Sequence, residues 1–308
     1  MEERTRKVVE RLKGPVVPVN LCFAEDDSLD LGAVQRYMGW LCEQQVPVVL
    51  LTYGSSEFTS LTEAEIWTLT EAVGRAVAGR ALFIASTGWW PPAKCREFLR
   101  HAEQAGADAV KVQIHPWLGT RREVLVGYFD ALQGASSLPL LVWGAWPSPY
   151  PVEVVAELAR RPEIAGIKND GDQFYVYYDL IRATADQDFA VVSGGQMRNF
   201  MFGYPLGSPA YLCTVAPFRP DLSLRFCRTL AEGRTQEAWE MVFRYEEPWL
   251  GLTEQLSWLP SIKSALEVFG LYPNRRLRSP AVSHTDEQFQ QIRQTLERTF
   301  GPIAPVRL

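Results

Sequence analysis

The chain has 308 residues, 47% hydrophobic and 22% charged, the balance of an ordinary globular protein long enough for one large domain with an appendage or two average ones. A net charge of -5 and a pI near 5.4 offer no positive field for phosphate backbones or anionic lipid, so neither nucleic acid nor a membrane is an expected partner. No stretch approaches the roughly 20 apolar residues of a membrane span, and the charged start Met1-Glu2-Glu3-Arg4-Thr5-Arg6 has no apolar core behind it, so a soluble cytoplasmic protein is expected.

In chain order, short apolar runs of β character fall at 16–19, 48–52, 82–86, 109–113, 139–143, 164–168, 189–193 and 210–214. Between them lie amphipathic segments at 31–44, 63–78, 93–106, 122–133, 152–160, 173–185 and 197–206, with apolar positions three and four residues apart. This alternation predicts parallel strands joined by crossover helices. Eight such units fit a (β/α)8 barrel, which typically takes about 250 residues, better than an open doubly wound sheet. No GxGxxG follows the first run, which removes the main support for the dinucleotide-binding version of that sheet. Beyond the eighth run the pattern is helical at 221–232, 235–245, 261–269 and 286–300, with a Pro- and Arg-rich loop at 272–280. The expected organisation is a barrel core over 1–220, then the last barrel helix and a C-terminal helical extension over 221–308.

Five cysteines, Cys22, Cys42, Cys95, Cys213 and Cys227, are odd in number and widely spaced, and supply neither a disulfide framework nor a CxxC pair. Three histidines, His101, His115 and His284, lack HxH or HxxxH spacing. Each histidine is expected at the surface or at a cap, and neither a metal nor a cofactor is expected.

The sixth run, Ala165-Gly166-Ile167-Lys168-Asn169, ends on one of six lysines and turns polar in Asp170-Gly171-Asp172. An ammonium is costly away from water, so a lysine there favours the neutral amine that attack on a ketone requires. Lys168 is therefore the candidate Schiff-base residue; the alternative is a lysine that has left its strand and reaches solvent along its stem. Lys111, within Ala109-Val110-Lys111-Val112, is the rival, ranked second because it is not last on its run.

A barrel binds its ligand at the C-terminal ends of its strands. Those ends supply Asn20 and segments 52–57, 86–89, 113–117, 143–146, 168–172, 193–196 and 214–217. Hydroxyls and free amides suit a carboxylate, glycines let backbone approach a ligand, and the tryptophans, Trp143 and Trp146 among them, form an apolar wall. Asp170 and Asp172 read either as ligands for metal-assisted aldol chemistry or as a turn capping the next helix. His115, in phase with Lys111 and Gln113, either faces the pocket or caps.

The segment Tyr53-Gly54-Ser55-Ser56-Glu57-Phe58-Thr59-Ser60-Leu61-Thr62-Glu63-Ala64-Glu65 resembles the G-T-T-G-E-x-x-x-L-x-x-x-E signature of the dihydrodipicolinate synthase and N-acetylneuraminate lyase family of class I aldolases. Gly106-Ala107-Asp108-Ala109 resembles that family's start to strand four, and Ile164 to Lys168 its Schiff-base segment. Order and spacing hold from about Pro15 to Pro217. The resemblance implies that Lys168 condenses with the keto group of pyruvate or a longer 2-oxo acid, and that Ser55 and Ser56 hold its carboxylate with hydroxyls and amides. It also implies that Gly194 and Gly195 line the substrate after Ser193, and that the protein is a homo-oligomer, tetramer or dimer. From the residues alone, the two serines equally read as an ST-turn and the two glycines as a tight turn.

There are departures from the pattern. Trp143 stands where the family places its proton-relaying tyrosine, and an indole N–H neither accepts nor releases a proton in the useful range. Ser148-Pro149-Tyr150 replaces the usual arginine, His115-Pro116-Trp117 replaces a tyrosine pair, and Tyr53 and Gly54 occupy the places of a glycine and a threonine. His115, Tyr150, the substrate or water remain as alternative proton carriers. The expectation is a Schiff-base lyase, aldolase or dehydratase, for pyruvate-type or sugar-derived 2-oxo acids. Dehydration is included because Gly54 to Leu61 is similar to the G-T-G-E-F-F-S-L of deoxyglucarate dehydratases. Two alternatives stay open: a relative that binds a 2-oxo acid without turnover, and a metal-assisted aldol-type lyase.

Overall fold

The computed structural model describes residues 2–144, 149–170 and 174–308. Strands β1 (Gly14–Pro18), β2 (Val48–Leu50), β3 (Leu82–Ser86), β4 (Ala109–Val112), β5 (Leu140–Gly144), β6 (Ile164–Asn169), β7 (Ala190–Ser193) and β8 (Ala210–Leu212) close in sequence order into a parallel barrel. β1 pairs with both β2 and β8. The fold is a (β/α)8 barrel with further helices at its C-terminal end.

Helix α1 (Glu2–Arg11) precedes the first strand, and α2 (Leu31–Glu43), α3 (Glu63–Val77), α4 (Pro92–Gln104), α5 (Arg122–Asp130), α6 (Val152–Leu158), α7 (Phe174–Ala183) and α8 (Gln196–Gly203) connect the strands. After β8 come α9 (Pro220–Ala231), α10 (Thr235–Met241), α11 (Glu247–Leu256), α12 (Trp258–Val268) and α13 (Asp286–Phe300). A π-helical turn, Val242–Glu246, carries α10 into α11. No helix of the described residues is long and apolar enough to cross a membrane.

Apolar side chains form two layers. Inside the barrel, Val16, Leu50, Leu82, Ile84, Leu141 and Val192 pack together, and Val8 of α1 with Leu12 just after it packs onto the same cluster. The sequence reading assigned no helix there, because α1 shows only a narrow stripe of Thr5, Val8 and Leu12 among charged neighbours. The outer layer lies between strands and helices and includes Trp249 and Leu250 of α11 and Ile262 and Leu266 of α12, so barrel and tail share one core.

Two details aim the strand ends. In β4, Ala109 belongs to the inner cluster while Val110 and Val112 pack in the outer one, so alternation turns Lys111 and Gln113 inward. In β6, pairing with β5 slips by one residue: Leu140 faces Ile164 but Leu141 faces Gly166, a bulge at Ala165. Beyond the bulge, Lys168 stands beside Trp143 on β5 and Val192 on β7. Only glycine fits at 166, since a Cβ there would lie 2.3 Å from the Ala190 carbonyl oxygen.

Candidate active site

Lys168 is 4% exposed, and its Nζ forms an ion pair with Asp170. The other oxygen of that carboxylate accepts a hydrogen bond from Trp143 Nε1, so one acidic group ties the lysine to the indole across two strands. Gly194 brings the β7 loop against this pair. Its N–H donates to the Asn169 carbonyl at 2.8 Å, and a Cβ on it would stand 2.3 Å from Asp170 Oδ1. Gly195 lies one step away, on the turn into α8, against the Asn199 side chain. Sequence reasoning placed Lys168, Trp143 and Gly194 at the strand ends, and the structure brings all three around Asp170. It took Asp170 itself for a metal ligand or a cap, and the pairing with Lys168 and Trp143 carried no sequence signal. Trp146 and Asp172 lie outside the described residues. Among the described residues, no three His, Cys, Asp or Glu side chains are grouped to hold a metal ion.

Lys111 is equally buried, at 1% exposure, with Nζ 5.3 Å from the centroid of the Trp143 ring. Its pKa is brought down to about 7, by burial first and the nearby Lys168 second, with Asp170 opposing both. Trp143 also stacks at 6.5 Å on Trp89, which stacks at 4.0 Å on Tyr53 and meets the His115 ring edge-on at 4.9 Å. His115 accepts the Trp117 N–H at Nδ1, 3.2 Å away, and so caps its own turn. His284 is buried rather than at the surface, and of the two expectations its contacts fit the cap: it bridges Ser264 and the carbonyl of Leu256, the last residue of α11. Tyr150 is buried in the outer core cluster, and burial raises the pKa of its hydroxyl.

The two serines after β2 differ. Ser56 Oγ donates to the Val19 carbonyl at 2.6 Å and accepts the Thr52 N–H at 3.0 Å, while its own N–H bonds the Thr52 carbonyl. Ser55 N–H reaches Thr52 Oγ1 at 3.3 Å, but Ser55 Oγ has no partner among the described residues. It belongs to a set of buried, unpartnered polar atoms at strand ends: Asn20 Oδ1, Ser55 Oγ, Trp89 Nε1, Gln113 Oε1, Asn169 Nδ2 and Thr214 Oγ1. Leaving such an atom unpaired costs about 1–3 kcal/mol, so a set of this size fits a small ligand with several oxygens. Beside Trp89 an open, largely apolar cavity of about 500 Å3 runs between Trp90, Pro92, His115, Leu118 and Tyr128. A groove of about 700 Å3 by Gly14, Pro47 and Pro209 lies at the opposite end of the barrel and shares no residue with this set.

The loops are pinned by the tail. Lys263 of α12, wholly buried, donates to the Leu21 carbonyl at 2.6 Å and to Glu57 Oε1 at 2.9 Å, beneath the Phe23 ring. Burial raises the Glu57 pKa and lowers that of Lys263, and the ion pair opposes both shifts. Tyr272 OH donates to the Asn20 carbonyl, and Arg278 to the Asp27 and Ser60 carbonyls and to Glu65. Glu65 also completes the capping box of α3 with Thr62, and its carboxyl is held down at about 2, with the Arg278 bond as the largest cause. That double duty accounts for the final glutamate of the Leu61-to-Glu65 spacing. Glu246, on the π-helical turn, accepts the N–H groups of Met197 and Arg198 at 2.7 and 2.8 Å and so caps α8 behind the Gly194 loop. Sequence reasoning missed Lys263 and Glu246. A lysine within the apolar Ile262-Lys263-Ser264-Ala265-Leu266 stretch was the available signal for the first.

A (β/α)8 barrel with two buried lysines and a set of buried, unpartnered polar atoms at its strand ends belongs among the barrel enzymes that work at that face. The Dihydrodipicolinate synthetase family matches residues 11–299; the chain belongs to that family and is an enzyme of the lyase type. It is 29% identical over 263 residues to the "Probable 5-dehydro-4-deoxyglucarate dehydratase 2" of Streptomyces avermitilis, covering 82% of this chain and 78% of the relative. An uncharacterized DapA-like lyase of Pyrococcus furiosus is 26% identical over 93% of this chain and 97% of its own. The crystal structure of dihydrodipicolinate synthase from Oceanobacillus iheyensis superposes with a TM-score of 0.86 at 21% identity, over 96% of this chain and 98% of that one, a likeness of fold.

Proposed function

We propose that the protein is a Schiff-base-forming lyase, an aldolase or dehydratase, that acts on a pyruvate-type or sugar-derived 2-oxo acid through an imine at Lys168. The observation that carries this reading is Lys168 itself, buried on the inner face at the end of β6 and held by Asp170 beside Trp143. The amine adds to the keto carbon and the C2 oxygen departs as water. Ser55 Oγ, unpartnered among the described residues, donates to the substrate carboxylate, and Ser56 holds the loop that presents it. Asn20, Gln113, Asn169 and Thr214 supply further polar atoms for the hydroxyls of a sugar acid. The likeness to a relative named as a dehydratase supports dehydration as one form of the reaction. Trp143 favours a second reading, a protein that forms the imine without turnover, because its indole moves no proton.

Borohydride reduction in the presence of pyruvate tests the proposal. The expected result is one covalent adduct on the peptide bearing Lys168, absent from Lys168→Arg, which keeps the charge but loses the nucleophile. An undiminished adduct in Lys168→Arg defeats the assignment. An adduct in the wild type with no turnover of any 2-oxo sugar acid favours the second reading.

A further inference from the structure

Lys111 plays no part in that reading, yet it stands in the same cluster. Its backbone pairs with Ser86 on β3 and Leu141 on β5, and its Nζ lies over the face of Trp143. That indole donates to Asp170, and Asp170 holds Lys168. The indole therefore joins both amines, Lys111 over its face and Lys168 through the carboxylate to which it donates, and among the described residues Lys168 alone of the two amines has that carboxylate as ion-pair partner. A buried ammonium without a counterion is costly, whereas a buried neutral amine can both take up and give back a proton.

We propose that Lys111 is the proton-transfer group of this site, serving the Lys168 amine and the C2 oxygen of the bound 2-oxo acid in place of a phenol that position 143 does not carry. The proposal rests on the Schiff-base reading of Lys168. In the first step Lys168 Nζ adds to C2, the C2 oxygen takes a proton from the Lys111 ammonium, and Lys111 recovers the proton that the new C–N linkage sheds. In the second, Lys111 protonates the C2 hydroxyl, the C–O bond breaks, and water leaves as the C=N bond forms. Ketone, Lys168 amine and the Lys111 proton thereby become iminium and water, and Lys111 is left as the neutral amine. The same amine then takes a proton from C3 to give the enamine.

The surroundings keep both forms of Lys111 in use. Ser86 faces it from β3, Leu141 and Trp143 from β5, and Lys168 and Asp170 from β6, and of these Lys168 and Asp170 alone carry charge. With its pKa near 7, set by burial first and Lys168 second, donor and acceptor are both populated at neutral pH.

Pyruvate is the probe. Exchange of its C3 hydrogens in D2O, followed by proton NMR, reports enamine formation, and borohydride trapping with peptide mapping reports where the imine sits. The wild type is expected to exchange with an inflection near pH 7 and to carry the adduct on Lys168. Lys111→Met is expected to carry the adduct on Lys168 still, while exchange falls by about 10²- to 10⁴-fold and the inflection disappears. Adduct on Lys168 with exchange and pH profile unchanged in Lys111→Met overturns the relay alone. Adduct on Lys111 in the wild type makes it the nucleophile and overturns the relay as well. A wild type that takes no adduct defeats the Schiff-base reading and the relay together. If Lys111→Met loses its cooperative unfolding transition, the wild type still decides, because exchange without an inflection between about pH 6 and 8 refutes a relay titrating near 7.

Discussion

Replacing Gly194 by alanine tests whether the close approach of the β6 and β7 ends positions the site. The added Cβ would stand 2.3 Å from Asp170 Oδ1, 2.4 Å from the Asn169 carbonyl oxygen and 2.8 Å from Asp170 Cα. Two of those three atoms are backbone, so no side-chain rotation relieves the clash, and the two segments must part by about 1 Å to reach ordinary contact. Overpacking of this kind costs about 1–3 kcal/mol. The hydrogen bond from Gly194 N–H to the Asn169 carbonyl stretches with it, a further loss of about 0.5–1.5 kcal/mol. Urea unfolding followed by tryptophan fluorescence should therefore show Gly194→Ala less stable by about 2–4 kcal/mol. Because Asp170 moves with the strand end, the rate of borohydride-trapped imine formation should fall by about 10²-fold, the usual result of a 1 Å misplacement. Gly195→Ala is the milder comparison: its Cβ meets Asn199 Nδ2 at 2.7 Å, which can turn aside, and Asn199 Cβ at 2.9 Å, which yields only by a small shift, so its cost is smaller. A Gly194→Ala protein within about 0.5 kcal/mol of wild type and with an unchanged imine rate refutes the reasoning.

The two serines after β2 should separate. Ser55→Ala leaves stability within about 0.5 kcal/mol of wild type but weakens pyruvate binding, read by calorimetry, about tenfold, the loss of one hydrogen bond to a charged group. Ser56→Ala strands the Val19 carbonyl and costs about 1–3 kcal/mol in urea; equal effects from both would remove the distinction. Burial raises the pKa of Glu246 from 4.5 to about 7, so its native form binds a proton that the unfolded form has lost between those values. Its contribution is full below about pH 4.5 and falls by about 3 kcal/mol as the pH rises to about 7. Glu246→Gln, which does not titrate, should remove that slope from the stability profile, and parallel profiles for the two proteins would show that Glu246 titrates normally.

The barrel was legible because each strand is a short apolar run and each crossover helix has its own amphipathic stripe, both local signals. α11 was not. Pro248 reads as a break in an amphipathic pattern, whereas the π-helical turn Val242–Glu246 runs straight into α11 and Pro248 sits in the first turn beyond it, where the widened ladder of the turn takes in a residue that has no N–H to give. Lys168 could be picked out by its apolar approach. What surrounds it could not, because Asp170 finds Trp143 only once β5 and β6 are side by side, and the bulge at Ala165 that sets Lys168 beside Trp143 depends on pairing between strands. Gly194 read as substrate lining from the resemblance and equally as a tight turn from the residues alone; the backbone that passes it and demands a glycine there left no mark in the sequence. Glu57 and Lys263 lie 206 residues apart, beyond the reach of any local pattern.

The ties from the tail divide the mouth of the barrel unequally. Leu21, Phe23, Glu57 and Ser60, on the loops after β1 and β2, are bonded to Lys263, Asn274 or Arg278, and α8 behind the β7 loop is bonded to Glu246. Among the described residues, no hydrogen bond or ion pair runs from 221–308 to the loops after β3 and β4, where Trp89, Trp90 and Trp117 sit. One side of the rim is thus braced by the tail, and the other rests on the barrel's own helices, as Trp90 does on Phe98 and Tyr128. A shift in which substrates are accepted would enter by the tryptophan-bearing side, while a substitution in the tail would register at the serine and glycine loops.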